Sequence, residues 1–359
     1  MSLLPTKSFA LGNKHMFIIL GCFVLVACSS RVTISTQTSM PIAYPDNTET
    51  EFSLNIEPSP TTSMPPKTLE PASTDTLPLV NHSPSQNTPV NNTTQPPISP
   101  TPLPPDGWMS LPVLPTVSDT ARSIYQRGLE MGNDPHAFSK IGDCQSITTY
   151  YLTYFDMPGY YNLGDYSYLQ DTIDWFSGSF SRESLSVKGG FNAAAILSPL
   201  RANPSLCNPN ETPIACEFRL HNPSIAIISL EEWWAGHPEN YEIYMRQIIE
   251  YSIQEGVVPI IATKADNLEG NNLINQTIAR LAQEYNIPMW NFWLAVQPLP
   301  NHGLLATNSS GEVDMFHLTH SEGYYFYNDP HAIQSGWSIR NLTALQALDA
   351  VRRGLTGQP

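Results

Sequence analysis

The sequence predicts an α/β domain built on a mainly parallel sheet, preceded by a long segment that cannot form a core. Three observations carry this. From Ser224 onward, short β-branched runs alternate with helix-length amphipathic segments. The intervening helices are long enough for right-handed crossovers, which cover both faces of a parallel sheet. Before Trp108 the chain is instead rich in Pro, Ser, Thr and Asn, with Tyr44 and Phe52 as its only aromatics after residue 30. Such a stretch buries too little apolar surface to offset the entropy of ordering it.

Within the domain, Thr120 to Met131 reads as a helix, with Ser118 or Asp119 as N-cap and Gly132 as its stop. His136 to Ile141 reads as a strand and Gln145 to Phe155 as a helix. A loop-rich, aromatic section follows. Ser224 to Leu230 is a strand with Ile225, Ile227 and Ile228 at its core. Asn240 to Glu255 is a helix carrying Tyr244, Ile248 and Tyr251 on one face and ending at Gly256. Val257 to Thr263 is the next strand. Asn272 to Asn286 is a helix in which Ile274, Ile278, Leu281 and Tyr285 repeat at i, i+4, i+7 and i+11. Ile287 to Trp293 is a further strand, and Asn341 to Leu355 a final helix.

The bulk numbers narrow the function classes. The chain has 359 residues, 33 prolines, 14% charged residues and a formal net charge of −15. An acidic chain with no Lys/Arg run is unsuited to nucleic acid or to electrostatic docking on anionic lipid. Lys7 and Lys14 flank and precede an apolar run from Met16 to Ala27, too short to span a bilayer comfortably and ending in small residues, which reads as a secretory signal over residues 1–27. Its end, Leu25-Val26-Ala27-Cys28-Ser29-Ser30, resembles a bacterial lipobox. That resemblance implies a lipid-modified Cys28 holding the protein on the outer face of a membrane. An ordinary signal peptide with an incidental cysteine is the other reading. Residues 28–107 then form an anchored, disordered spacer, and residues 108–359 the domain.

The five cysteines do not form one framework. Cys22 lies in the signal and Cys28 at the processing site. Cys207 and Cys216 flank an Asn/Pro-rich loop and suit a disulfide in an exported protein, with two unpaired thiols as the alternative. Cys144 stands alone.

In a parallel α/β sheet the site lies at the carboxyl ends of the strands. Two stretches fall there: Lys140-Ile141-Gly142-Asp143-Cys144-Gln145-Ser146 and Asp314-Met315-Phe316-His317-Leu318-Thr319. Acyl transfer needs a nucleophile, a base, a group that orients the base, and oxyanion donors. Cys144 at a strand-to-helix turn supplies the first, aided by the dipole of the expected helix, and His317 with Asp314 the next two.

This layout resembles the SGNH hydrolases, the GDSL-type esterases and lipases. Gly142-Asp143-Cys144 matches their first motif with serine replaced by cysteine, and Asp314-x-x-His317 matches their last. The glycine of the second motif corresponds to Gly190, in Lys188-Gly189-Gly190-Phe191-Asn192-Ala193. The third motif falls on Ser229-Leu230-Glu231-Glu232, where both its glycine and its asparagine are missing. The resemblance implies a flavodoxin-like three-layer sandwich, no cofactor, and ester hydrolysis or acyl transfer through an acyl-enzyme formed by Cys144, His317 and Asp314. Gly190 and the Cys144 N–H would then be the oxyanion donors. A small ester or acylated glycan is the implied substrate.

The departures bear on chemistry. A thiol can replace the serine, since a neighbouring His lowers a thiol pKa. A missing oxyanion donor costs on the order of 10²–10³ in rate, and a glutamate at Glu231 repels the developing charge. Ser146 is an alternative nucleophile, although on a helix it would point about 200° away from Cys144. The alternative function is a degenerate domain that binds surface glycan without turnover. His317 and His320 with Asp314 have a permissive metal spacing but lack a second ligand group. Trp233 and Trp234 could stack on sugars or pack against loops. Lys264, Asp266 and Asn267 read as loop caps, and Tyr150, Tyr151 and Tyr154 as core residues on the expected helix.

Overall fold

The computed structural model describes residues 104–230, 238–308 and 310–358. The signal segment, Cys28 and most of the Pro-rich stretch lie outside the described residues, as do Glu231, Glu232, Trp233 and Trp234. Among the described residues no helix is long and apolar enough to cross a membrane.

The elements run α1 (Asp119–Met131), β1 (Asp134–Gly142), α2 (Gln170–Trp175), α3 (Ala193–Ile196), α4 (Pro213–His221), β2 (Pro223–Ser229), α5 (Pro238–Gln254), β3 (Val258–Ala262), α6 (Leu273–Tyr285), β4 (Met289–Trp290), α7 (Phe292–Val296) and α8 (Gly336–Thr356). The four strands form one parallel sheet in the order β1-β2-β3-β4. Every residue of β2 and β3 is buried, as a sheet covered on both faces requires. Removing side chains such as Ile225, Ile227 and Ile228 from water contributes about 1.5–3 kcal/mol each. Helices α1 and α2 pack against α8, whereas α3, α4, α5 and α6 pack among themselves. The arrangement is compatible with a three-layer α/β fold.

A lone parallel bridge joins Gly142 to Val187, with the Gly142 N–H donating to the Ser186 carbonyl at 3.0 Å. Gly142 also pairs with Ser229 of β2. The chain therefore leaves β1 toward one side and returns to continue the sheet on the other. A reversal of this kind opens a crevice at the carboxyl end of the strand where it occurs, here the residues that follow Gly142.

Helix ends follow their sequence signals. The Ser118 hydroxyl accepts from Ala121 N at 3.0 Å, and Gly132 takes the left-handed conformation that ends α1. Three expectations fail for identifiable reasons. The segment Gln145–Phe155 is not a helix: it holds a three-residue 3-10 turn, Cys144–Ser146, and a second short turn, Thr153–Asp156. The Asn341 side chain of α8 takes the backbone hydrogen bonds a helix would need, accepting from Leu152 N at 2.7 Å and donating to the Tyr150 carbonyl at 3.1 Å. Leu152 is left-handed, and the Thr153 hydroxyl donates to the Thr148 carbonyl.

The strand expected over Ile287–Trp293 pairs only at Met289–Trp290, because Asn291 turns the chain and caps α7 through Leu294 N. Helix α8 begins at Gly336 rather than Asn341, with Ser335 as its cap. The loop-rich section expected before Ser224 contains the short helices α2 and α3 and also α4, whose start at Thr212-Pro213 is a recognisable cap followed by a first-turn proline. A disulfide joins Cys207 to Cys216, tying the preceding loop to α4.

Lys140 of β1 is buried, and its Nζ donates to the Phe180 carbonyl at 2.8 Å and the Thr148 hydroxyl at 3.2 Å. Burial, reinforced by the nearby Arg182 and opposed by Glu217, Asp156 and Glu183, pulls its pKa down to about 7. An unfolded lysine titrates near ~10.4, so between these values the unfolded chain binds the extra proton and stability rises with pH. Above pH ~10 the buried Tyr325 and Tyr327, whose pKa values burial raises, reverse the trend. Urea unfolding should therefore show stability rising by on the order of 3 kcal/mol from pH ~7 to ~9.5. Lys140→Met should flatten that rise; an unchanged slope in the variant would show that another group is responsible.

Candidate active site

The turn after β1 is fixed from inside. The buried Asp143 carboxylate accepts from Gln145 N at 2.9 Å, and its carbonyl accepts from Ser146 N at 3.0 Å. Cys144 opens this turn, is partly exposed, and is the cysteine among the described residues that takes no part in a disulfide. Gly142 lies so close to the turn that a Cβ there would sit 2.1 Å from Ser146 Oγ and 2.9 Å from the Ser229 carbonyl oxygen. Glycine at 142 is thus a packing requirement.

The loop carrying the second motif is held by its neighbours. Leu305 N donates to the His317 carbonyl at 2.8 Å, Thr319 N to the Gly303 carbonyl at 2.7 Å, and Trp337 N at the start of α8 to the Thr319 carbonyl at 3.1 Å. His317 Nδ1 lies 2.8 Å from Asp314 Oδ2, while Asp314 Oδ1 accepts from the backbone of Phe316 and His317 at 3.1 and 3.0 Å. Burial would raise the Asp314 pKa, but these bonds outweigh it and hold the carboxyl below its usual range. The ionised Asp314 can accept a hydrogen bond from Nδ1–H, which leaves Nε2 as the nitrogen with a free lone pair. The His317 side chain remains 55% exposed and the Asp314 side chain 9%, so the base is open to substrate and its orienting group is not.

A hydrogen bond joins the two stretches: Gln145 Nε2 donates to the Phe316 carbonyl at 3.0 Å. The residue after Cys144 thus grips the residue before His317, across 171 positions of sequence.

Ser146 is not placed as a nucleophile. Its side chain is fully buried against Gly142, facing inward rather than into the crevice. The helix expected to polarise Cys144 is also absent, since a single 3-10 turn aligns too few peptides for an appreciable dipole.

Gly190 lies in an exposed loop with φ +77°, a left-handed conformation that other residues adopt only with strain. Among the described residues nothing accepts a hydrogen bond from its N–H, as an oxyanion donor requires. The loop is anchored upstream by the buried Glu217 of α4. That carboxylate binds Arg182 at 2.7 Å, the Ser139 hydroxyl of β1 at 2.7 Å and Leu185 N at 2.8 Å. A cavity of about 250 Å³ separates the loop from the segment after Cys144, with Ile147, Thr148, Ser184, Val187 and Lys188 in its walls.

Sequence reasoning missed Arg340. Its side chain is fully buried, with Nε donating to the Gln145 carbonyl at 3.0 Å and a terminal nitrogen to Ser229 Oγ at 2.6 Å. The guanidinium faces the rings of Tyr151, Trp290 and Phe292 at 5.0, 5.4 and 5.0 Å. The available signal was its place on the stripe that continues through Ala344, Ala347, Leu348 and Val351, all buried.

Tyr150 is also not the core residue expected: it is 45% exposed, 5.6 Å from Trp337, while Tyr151 is buried and Tyr154 stacks on the exposed Tyr160. Lys264, at the end of β3, forms buried ion pairs with both Asp266 and Glu269, more than a loop cap. Among the described residues, one trio of possible metal-ligand side chains converges: Cys207, Glu211 and Cys216. Its two sulfurs are already bonded to each other.

Comparison with protein-family models finds no match, and comparison with curated proteins finds none either. The case for function therefore stands on the geometry above.

The fit around Gly142 has a direct test. Gly142→Ala should destabilise the chain by about 1–3 kcal/mol through overpacking. Adding Ser146→Gly should recover part of the loss, since Ser146 atoms provide two of the three closest contacts. Strict additivity of the two changes in urea unfolding would contradict the packing described.

Proposed function

We propose that the domain is an ester hydrolase or acyltransferase of the SGNH type, with the flavodoxin-like layering that type implies. Cys144 is the nucleophile, His317 the general base, Asp314 its orienting group, and Gly190 N–H with Cys144 N–H the oxyanion donors. The observation that carries this reading is the 2.8 Å contact between His317 Nδ1 and an Asp314 carboxylate held ionised by backbone donors, tied to the Cys144 turn through Gln145. On this reading His317 Nε2 takes the Cys144 thiol proton and Sγ bonds to the acyl carbonyl carbon. The tetrahedral oxyanion collapses, the ester C–O bond breaks, and the leaving alkoxide takes the proton from His317. Water, or an acceptor hydroxyl, then gives its proton to Nε2 and attacks the thioester, regenerating the thiol.

The lipobox-like sequence ending at Cys28 supports export with a lipid anchor, which would hold the domain at the outer face of a bacterial membrane. Acylated carbohydrate is the substrate class that suits this location. The exposed ring of Tyr150, six positions after Cys144, suits it as well. The cysteine in place of serine motivates a second reading, a glycan-binding module without turnover.

The purified full chain should hydrolyse short-acyl p-nitrophenyl esters. His317→Ala and Cys144→Ala should each abolish that activity, and Asp314→Asn should lower kcat by up to ~10⁴, as when a triad carboxylate is neutralised. An unchanged rate in Cys144→Ala would remove the thiol from the mechanism. Glycan binding with no hydrolysis of any ester would favour the binding module. In alkylation across pH, Cys144 should label well below pH ~8 as an activated thiolate, with Cys144→Ala as the background control.

A further inference from the structure

In a chain of net charge −15, exposed and half-buried cations are expected to find carboxylates. Most do. Arg122, Arg219, Arg246 and Arg280 each bind one, as does Arg353, and Arg127 donates to the Ile253 carbonyl. Among the described residues, Lys188 and Arg201 are the exposed cationic side chains with no hydrogen-bond or ion-pair partner. They are 13 positions apart in sequence, yet both line one cavity of about 630 Å³, within the size range of small-molecule sites.

The position of this cavity matters. Lys188 is two residues before Gly190, and Glu183, Ser184, Val187 and Lys188 also wall the smaller cavity that reaches Ile147 beside the Cys144 turn. One stretch of chain therefore leads from the crevice to the two cations. The other titratable groups in the lining are Glu183, which is exposed, and His221, whose pKa burial lowers so that it adds no charge at pH 7. Lys188 and Arg201 against Glu183 leave a positive cavity on an acidic protein. An unsatisfied guanidinium and ammonium facing the same space suit the oxygens of a carboxylate or phosphate.

We propose that this cavity binds an anionic substituent, carboxylate or phosphate, of a saccharide whose ester is presented at the Cys144 turn. The ester's placement rests on the function proposed above; binding of the anion does not.

The test uses calorimetric titration of the full chain carrying Cys144→Ala, so that nothing is turned over and failure of the hydrolase reading leaves the result interpretable. The probes are a galacturonate trisaccharide against its fully methyl-esterified form, and glucose 6-phosphate against glucose. At least one anionic probe should bind about tenfold or more tightly than its neutral counterpart, with affinity falling as NaCl rises. The pair that discriminates identifies carboxylate or phosphate as the recognised group. Lys188→Gln/Arg201→Gln should lose about tenfold of that affinity, near the sum of two modest charge contacts, and its thermal unfolding should match the parent because both side chains are exposed. Equal affinity for charged and neutral probes, no binding of either anion, or an unaltered double variant would each overturn the proposal.

Discussion

A guanidinium with no exposed surface sits at the carboxyl ends of the first two strands, and the geometry of the site depends on it. Burying a charge costs several kcal/mol unless hydrogen bonds and nearby dipoles compensate. Arg340 bonds the Gln145 carbonyl and Ser229 Oγ, and three aromatic faces surround it. It thereby joins the turn after β1, the end of β2 and helix α8. Gln145 is consequently held at both ends, by Arg340 on its carbonyl and by the Phe316 carbonyl on its side chain. Cys144 and His317 are each one residue away from this doubly fixed contact. A rigid side chain between the stretches can set their spacing far better than two loops alone.

The local chemistry of the fold was legible in the sequence where local forces decide it. Ser118 and Gly132 bound α1 because a cap and a left-handed stop act within one turn, and the β-branched run of β2 is buried as its composition demands. The segment after Cys144 was illegible for the opposite reason. Its residues tolerate a helix, but Asn341, 189 positions from Leu152, competes for the same backbone groups and prevails. No local pattern announces that competition. Helical geometry would already turn Ser146 away from Cys144, and burial against Gly142 sets it aside even without the helix, while His317 meets Asp314 because a three-residue spacing in a tight loop brings the groups together without help from distant chain.

The same division separates Arg340 from Lys188 and Arg201. All three are cations in an acidic sequence, and composition alone makes them alike. Burial distinguishes them: one lies on the apolar stripe of α8, and the others end in open space beside the crevice. A charge in the first position organises neighbours through the hydrogen bonds its burial compels. A charge in the second keeps its donors available, and screening by salt limits its reach to roughly 8 Å, which is a contact role rather than a steering one.

Replacing the expected helix by a three-residue turn also changes what must activate the thiol. On the proposed reading, without aligned peptides behind Cys144, His317 is the group left to take the thiol proton and stand beside the thiolate. In a thiolate–imidazolium pair the negative charge exists before the substrate arrives, whereas a serine develops its charge only as the base removes its proton. Attack by sulfur then moves an existing charge from Sγ to the carbonyl oxygen. Oxyanion donors need to compensate that relocation, not the creation of a new anion. If Gly190 and a backbone N–H are the oxyanion donors, as proposed, a site without the third-motif asparagine is less handicapped with cysteine than it would be with serine. On the proposed reading, the altered nucleophile and the altered third motif are therefore compatible changes.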